Sequence, residues 1–264
     1  MQQWNNIALS PMPRFIPLNV HSHYSLLNAL PKIPDLVAHA KNLGLPALAL
    51  TDDGNLYGAI EFYKECKKAG VKPILGMHAY LALRGRGDKQ AGVDNRRHRL
   101  ILLAKNETGY KNLIRLATAA HLEGFYYRPR IDRELLERYR EGLIAIAPAF
   151  NSDISHLLSQ KDEPAIDERV LWYQKQFGDE GFFLEISRHP EIPGHDERMS
   201  EIIALSKKTG APLVASQEIY YLTPEDRQAC ETLRLVSTQG EAGKRATSEG
   251  DFSFLAPEEM TARF

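Results

Sequence analysis

Apolar and polar positions along the chain follow two periods in turn. A compact apolar run at 15–20 (FIPLNV) predicts a first strand that ends at His21-Ser22-His23. At 34–43, Leu36, Val37, Ala40 and Leu43 recur at helical spacing, and Gly44 stops the helix. The alternation continues, with strands expected at 47–50, 72–83, 98–104, 143–147, 182–186 and 213–216. Helices are expected at 56–69, 108–122, 133–140, 151–158, 163–177, 196–209 and 223–236. In the last of these, Thr223 reads as the cap, Pro224 as the first helical position, and Glu225 and Asp226 as an acidic first turn. Three segments interrupt the pattern. Residues 84–97 (RGRGDKQAGVDNRR) hold three glycines and almost no apolar side chain, which predicts an exposed loop; 124–131 (GFYYRPRI) reads as an extended connection. The stretch 240–264 is polar and glycine-containing before a mildly apolar patch at 252–255, so it reads as a connecting segment.

About seven strands alternating with helices imply a parallel sheet covered by helices. One domain of this size points to a closed (β/α) barrel, with a doubly wound open sheet as the alternative. No G-x-G-x-x-G follows the first strand, which argues against a dinucleotide fold.

Composition narrows the class. The 264 residues, 43% hydrophobic and 9% aromatic, are enough for one large core and unlike a disordered chain. The net charge of −1 excludes a uniformly basic nucleic-acid coat, yet it hides an asymmetry. Residues 84–140 hold 14 Lys and Arg against 7 Asp and Glu, and the rest of the chain 19 against 27. That excess is either solvated loop and helix faces or a contact surface for phosphate or an acidic partner. Cys66 and Cys230 are far apart and form no CxxC, which fits a reducing, cytoplasmic setting. No apolar run is long enough for a membrane span, and the first residues (MQQWNNIALSPMPRF) do not read as a signal peptide.

Ligands of both candidate folds bind at the C-terminal ends of strands, so the polar residues there carry the candidate chemistry. The first strand offers His21 and His23, which period-two alternation places on one side; the second offers Asp52 and Asp53. His78 follows on the third, His98 opens the fourth, Glu185 and His189 end the sixth, and Gln217, Glu218 and Tyr220 follow the seventh. Imidazoles and carboxylates recurring at different strand ends point to a present or former metal-dependent hydrolase. His39, His121, His156 and His195 fall on helices or loops and read as structural. There is no G-x-S-x-G and no P-loop; Gly85-Arg86-Gly87 reads as a flexible turn, and Cys66 as a core residue.

Several stretches resemble a known family. HSHYSLLNA (21–29), PALALTDDGNLYGAIEFYKECKKAGVKPILG (46–76), LLAKNETGYKNLIRLA (102–117), FYYRPRIDRELL (125–136), GLIAIA (142–147) and YYLTPED (220–226) resemble the PHP (polymerase and histidinol phosphatase) domain. More narrowly, they resemble the form found at the N-terminus of bacterial DNA polymerase III alpha subunits, with the likeness running to PEEM at 257–260. The resemblance implies a distorted seven-stranded (β/α)7 barrel. It divides the chain into an extension at 1–13, the PHP domain at 14–238, and at 239–264 the start of a connection to polymerase domains. Implied partners are the rest of the alpha subunit, a proofreading exonuclease subunit and DNA, with no membrane. Some members hold a metal cluster and act as 3′–5′ exonucleases; others have lost their ligands and serve as platforms.

The family's metal positions are only partly kept. His21, His23 and His189 match, while Asp53, His78 and Glu218 replace other ligand types and can still coordinate. Asn28, Arg99, Ala149 and Tyr220 stand where charged, imidazole or thiol donors are expected. An arginine there adds positive charge where cations should sit. The expectation is therefore no metal or one residual divalent ion (Zn, Mn or Mg), no full three-metal cluster, no assigned catalytic residue, and a repair pairing such as Asp53 with Arg99. Arg96, Arg97 and Arg99, near the cleft mouth, are candidates for phosphate or partner contact.

Overall fold

A computed structural model describes residues 15–178, 180–237 and 250–264. The expected extension at 1–13 and the first part of the expected connection, 239–249, lie outside these residues. The strands are β1 (Asn19–Val20), β2 (Ala47–Leu50), β3 (Lys72–Ala82), β4 (Arg97–Ala104), β5 (Phe125–Tyr126), β6 (Arg128–Ile131), β7 (Leu143–Ala147), β8 (Phe182–Ile186), β9 (Leu213–Ala215) and β10 (Glu218–Ile219). The helices are α1 (Ile33–Asn42), α2 (Ala59–Ala69), α3 (Glu107–Leu122), α4 (Arg133–Tyr139), α5 (Asp153–Gln160), α6 (Glu163–Phe177), α7 (His195–Thr209), α8 (Arg227–Ser237) and α9 (Pro257–Arg263).

Counting β9 and β10 as two segments of one run, β1, β2, β3, β4, β7, β8 and β9–β10 form a distorted seven-stranded (β/α) barrel. Pairing runs β2-β3-β4-β7-β8-β9, and β10, just after β9, pairs with β1. Single backbone bonds from Ala49 to Pro17 and from Thr51 to Val20 join β1 to β2 and close the circuit. The all-parallel expectation fails at β4, which runs antiparallel to both β3 and β7. The reason is the loop before it. The polar segment after β3 supplies no crossover helix, so the next strand returns directly alongside. Hence the start of β4, not its end, reaches the mouth where β2 and β3 finish. The connection at 124–131 is itself a hairpin, β5–β6, and β6 lies parallel to the end of β3.

Side chains along the central strands alternate between two cores. Leu100 and Leu102 of β4, with Ala145 and Ala147 of β7, face α3, α4 and α6. Ile101, Leu103 and Ile146, with Ala49, fill the barrel interior. A separate cluster of Ile33, Leu36, Leu48 and Phe62 seats α1 and α2 on β1 and β2. Residues 250–264 lie on the barrel: Ser253 bridges Tyr221, and Leu255 and Met260 bury Phe15. No helix among the described residues is long and apolar enough to cross a membrane.

The segment 84–97 is folded back on itself. Arg84 bonds Asp94, and Arg86 bonds Glu123 and Asp132. Beneath the loop, Arg130 is fully buried and donates to four backbone carbonyls, those of Asp94 (2.7 Å), Asp88 (2.7 Å), Arg86 (2.9 Å) and Gly124 (3.1 Å). Several of the segment's arginines are thus engaged internally.

Candidate metal centre

The site is built at the barrel mouth from the ends of β1 and β2, the middle of β3, the start of β4, and β8 and β10. Of the sequence candidates, His21, Asp53 and His78 come together, each offering a ligand atom within 4.8 Å of the others, and all three are buried. Glu218 joins them, its Oε1 lying 3.5 Å from His21 Nε2 and 3.9 Å from His78 Nδ1. Asp53 Oδ1 lies 3.8 Å from the Nδ1 atoms of both histidines.

Arg99 joins the two carboxylates of this group. Its Nη2 donates to Asp53 Oδ1 at 3.0 Å and its Nη1 to Glu218 Oε1 at 2.7 Å, with Tyr220 Oη at 3.1 Å. The Asp53–Arg99 pairing expected from the substitutions is therefore present. The other substituted positions also make repairs. Asn28 Nδ2 donates to Asp53 Oδ2 at 2.8 Å, the Ala149 amide donates to Glu185 Oε2 at 3.1 Å, and the Tyr220 ring stacks on His21 at 4.5 Å. Arg99 is engaged inside the site, away from Arg96 and Arg97; Arg96 is exposed, and the Arg97 guanidinium lies over the Tyr80 ring.

Two retained histidines are placed differently. His23 packs against Tyr24 at 4.2 Å and stands outside the buried trio. His189 lines the same cavity of about 230 Å³ as His78, Arg99, Glu185 and Glu218, but its Nδ1 faces Glu191 at 3.4 Å. His98 sits on the opposite face of β4 from Arg99, against the His156 ring. Ser25 and Asn19 were not singled out from the sequence. The Ser25 hydroxyl donates to Asp52 Oδ1 at 2.6 Å and accepts from the Asp53 amide at 3.0 Å. With that proton committed, Ser25 Oγ accepts from His21 Nδ1 at 3.2 Å, which leaves Nε2 as the ring nitrogen buried without a hydrogen-bond partner among the described residues. Asp52 also accepts from the Ser22 amide and hydroxyl and so holds the HSHYS turn. No spacing rule marks Ser25 or Asn19: Ser25 reaches Asp52 and Asp53 on another strand end, and Asn19 Nδ2 donates to Glu185 Oε1 at 3.3 Å, 166 residues on.

Electrostatics follow from this packing. Burial, then Arg99 and His21, push the His78 imidazole down to about 3, so it is neutral. Burial alone would raise Asp53, but Arg99, His21 and His78 hold it at about 2. Against burial, Arg99 and His21 likewise keep Glu218 well below the usual carboxylate range. Glu185 goes the other way: burial and the neighbouring Glu218 push it up to about 7.

Glu185 yields a pH prediction. Between about pH 4.5 and 7 the folded state keeps a proton that the unfolded chain has lost, so stability falls as pH rises, by at most about 1.4 kcal/mol per unit. Asp53 acts in a lower window, stabilising above its ordinary value of 3.8 and losing that contribution as pH falls towards 2. In Glu185→Gln the slope between pH 5 and 7 should flatten, and the variant should match or exceed the native chain at pH 8. Asn19, whose Oδ1 has no partner among the described residues, can turn to accept from the new amide. Urea melts of both chains across this range check it.

Donor chemistry tests the site against the metals that such sites hold. His21 Nε2 and both His78 ring nitrogens are buried without hydrogen-bond partners among the described residues, and with an Asp53 oxygen they are the donor types of a single divalent-cation site, but Arg99 and Asn28 already hold the two Asp53 oxygens. A cluster does not fit, because a guanidinium stands among the carboxylates and takes the oxygens further cations would need.

A distorted (β/α) barrel with imidazoles and carboxylates at its mouth is the architecture of the PHP domain, and this chain belongs to that family, which it matches over residues 17–189. Within the family, its relatives are DNA polymerase III alpha subunits. It is 42% identical over 256 residues to that of Borreliella burgdorferi and 38% identical over 261 residues to that of Aquifex aeolicus. Each match covers 95% of this chain and 22% of the relative, so the chain spans about a fifth of the length of these polymerase subunits. In fold it is similar to a protein described as a metal-dependent phosphoesterase from Bifidobacterium adolescentis, with a TM-score of 0.50 at 11% identity, covering 94% of this chain and 96% of that one.

Proposed function

We propose that this chain is the PHP domain of a bacterial replicative polymerase alpha subunit, acting in the cytoplasm as a scaffold. Its phosphoesterase centre has become an ion-paired core. In this reading it supports the polymerase domains, which carry nucleotidyl transfer, and offers a docking surface to a proofreading exonuclease subunit. The observation that carries the proposal is Arg99, bonded at once to Asp53 and Glu218, the two carboxylates that face His21 and His78. Hydrolysis of a phosphodiester by a metal cluster needs anionic oxygens free to hold the ions and orient water. Here those oxygens are committed to a fixed cation. Arg96, exposed on the loop, and Arg97, at the start of β4, are candidate contacts to DNA phosphates or a partner.

Purified protein given a 3′-labelled DNA strand and added Mn²⁺ or Zn²⁺ is expected to release no nucleotides above a no-enzyme control. Robust metal-dependent removal of 3′ nucleotides that disappears in His21→Ala would overturn the proposal. It would favour a second reading, an active metal-dependent 3′–5′ exonuclease or phosphoesterase, which the unpartnered nitrogens of His21 and His78 support.

A further inference from the structure

We infer that Arg99 is a built-in replacement for a metal ion: a covalently attached cation that ties together parts of the barrel mouth sharing no backbone ladder and excludes a divalent ion from the oxygens it holds. The inference deepens the scaffold reading and rests on it.

Three observations combine. Arg99 lies at the start of β4, Asp53 just after β2, and Glu218 and Tyr220 at β10. β2 pairs with β3, and β10 with β1, so neither carboxylate is held to β4 by strand pairing. The guanidinium reaches both, one nitrogen to each, as its planar fork allows and a lysine ammonium does not reproduce.

The contested atoms are the same ones. Asp53 Oδ1 and Glu218 Oε1 are the carboxylate oxygens within 4 Å of the His21 and His78 nitrogens, and both are the acceptors of Arg99. A cation drawing on these imidazoles and carboxylates would compete with Arg99 for each oxygen. Both arrangements serve the same electrostatic need, because a buried carboxylate, Asp53, and a partly buried one, Glu218, set side by side call for a positive charge between them. Arginine supplies it permanently, where a dissociable ion would supply it only when bound.

The test is thermal unfolding of the native chain, Arg99→Lys and Arg99→Ala, each in EDTA and in Mn²⁺, with bound Mn²⁺ counted by electron paramagnetic resonance. The native chain should melt at the same temperature in both buffers and hold no stoichiometric Mn²⁺. Arg99→Lys, which keeps the charge but loses the fork, should melt roughly 5 °C lower. Arg99→Ala should be the least stable in EDTA, should recover by several degrees in Mn²⁺, and should bind about one ion per chain, which His21→Ala in that background should abolish. If Arg99→Ala does not fold in EDTA, refolding in Mn²⁺ but not in Mg²⁺-free EDTA buffer supports the inference. It is overturned if EDTA lowers the native melting temperature, or if Arg99→Ala melts like the native chain with no response to Mn²⁺. The two readings fail separately. An inactive native chain destabilised by EDTA would remove this inference and spare the scaffold proposal. An active nuclease whose melting ignored metal would do the reverse.

Discussion

Arg130→Met is expected to cost the fold about 4 kcal/mol, since hydrogen bonds to a charged group are worth roughly 1.5–3 kcal/mol each and do not add fully. Methionine fills a similar volume but donates nothing. It would leave the carbonyls of Arg86, Asp88, Asp94 and Gly124 without the single group that serves them all. Urea unfolding gives the loss directly. Limited trypsin digestion gives its location: the segment 84–97 contains Arg84, Arg86, Lys89, Arg96 and Arg97, and should be cut in the variant well before the native chain. Arg130→Lys should recover only part of the loss, because one ammonium cannot reach four carbonyls spread around a planar fork. Equal stability of Arg130→Met and native protein would mean that the loop is held by its own ion pairs, Arg84–Asp94 and Arg86–Asp132, without the buried guanidinium.

Gly109→Ala should destabilise by about 3 kcal/mol, a fall in melting temperature of roughly 10 °C. Helix propensity alone predicts the opposite sign, a gain of up to about 1 kcal/mol for alanine within α3. Tertiary contact reverses it. A Cβ on Gly109 would stand 1.9 Å from the carbonyl oxygen of Gly142, which is backbone and cannot swing aside. Gly142, at φ +73°, makes the turn into β7, and its carbonyl accepts from the Lys105 amide at 2.8 Å. Relief therefore requires moving that turn or pulling α3 away from Asn106, whose side chain caps the helix through the Gly109 amide at 3.0 Å. Differential scanning calorimetry of the variant decides between propensity and packing.

Both residues show what a linear reading misses. Arg130 counts there as one more charge in a basic stretch, and Gly109 as a weak point in a helix. Periodicity located α1, α3, α4, α6 and α7 closely, because each buries one face and its apolar residues recur with the helical turn. It missed the short α9, where a polar stretch gains its helix by seating Met260 against Phe15. It also missed the reversed direction of β4, since a strand's own alternation is the same whichever way its neighbours run.

At the site, the chain's own order of residues determined which chemistry was available: imidazoles and carboxylates at strand ends, and an arginine, an asparagine, an alanine and a tyrosine where donors were expected. Those identities are local and can be read one position at a time. Only the tertiary structure decided what they do together. Arg99 and Glu218 are 119 residues apart, and nothing in their surroundings along the chain specifies a contact. The barrel brings them to 2.7 Å because β4 turns back beside β3 and β10 closes on β1, so one guanidinium meets both carboxylates. Whether a charge binds a metal or neutralises a neighbour depends on distances of a few ångströms in a buried, poorly screened space, and folding alone sets those distances.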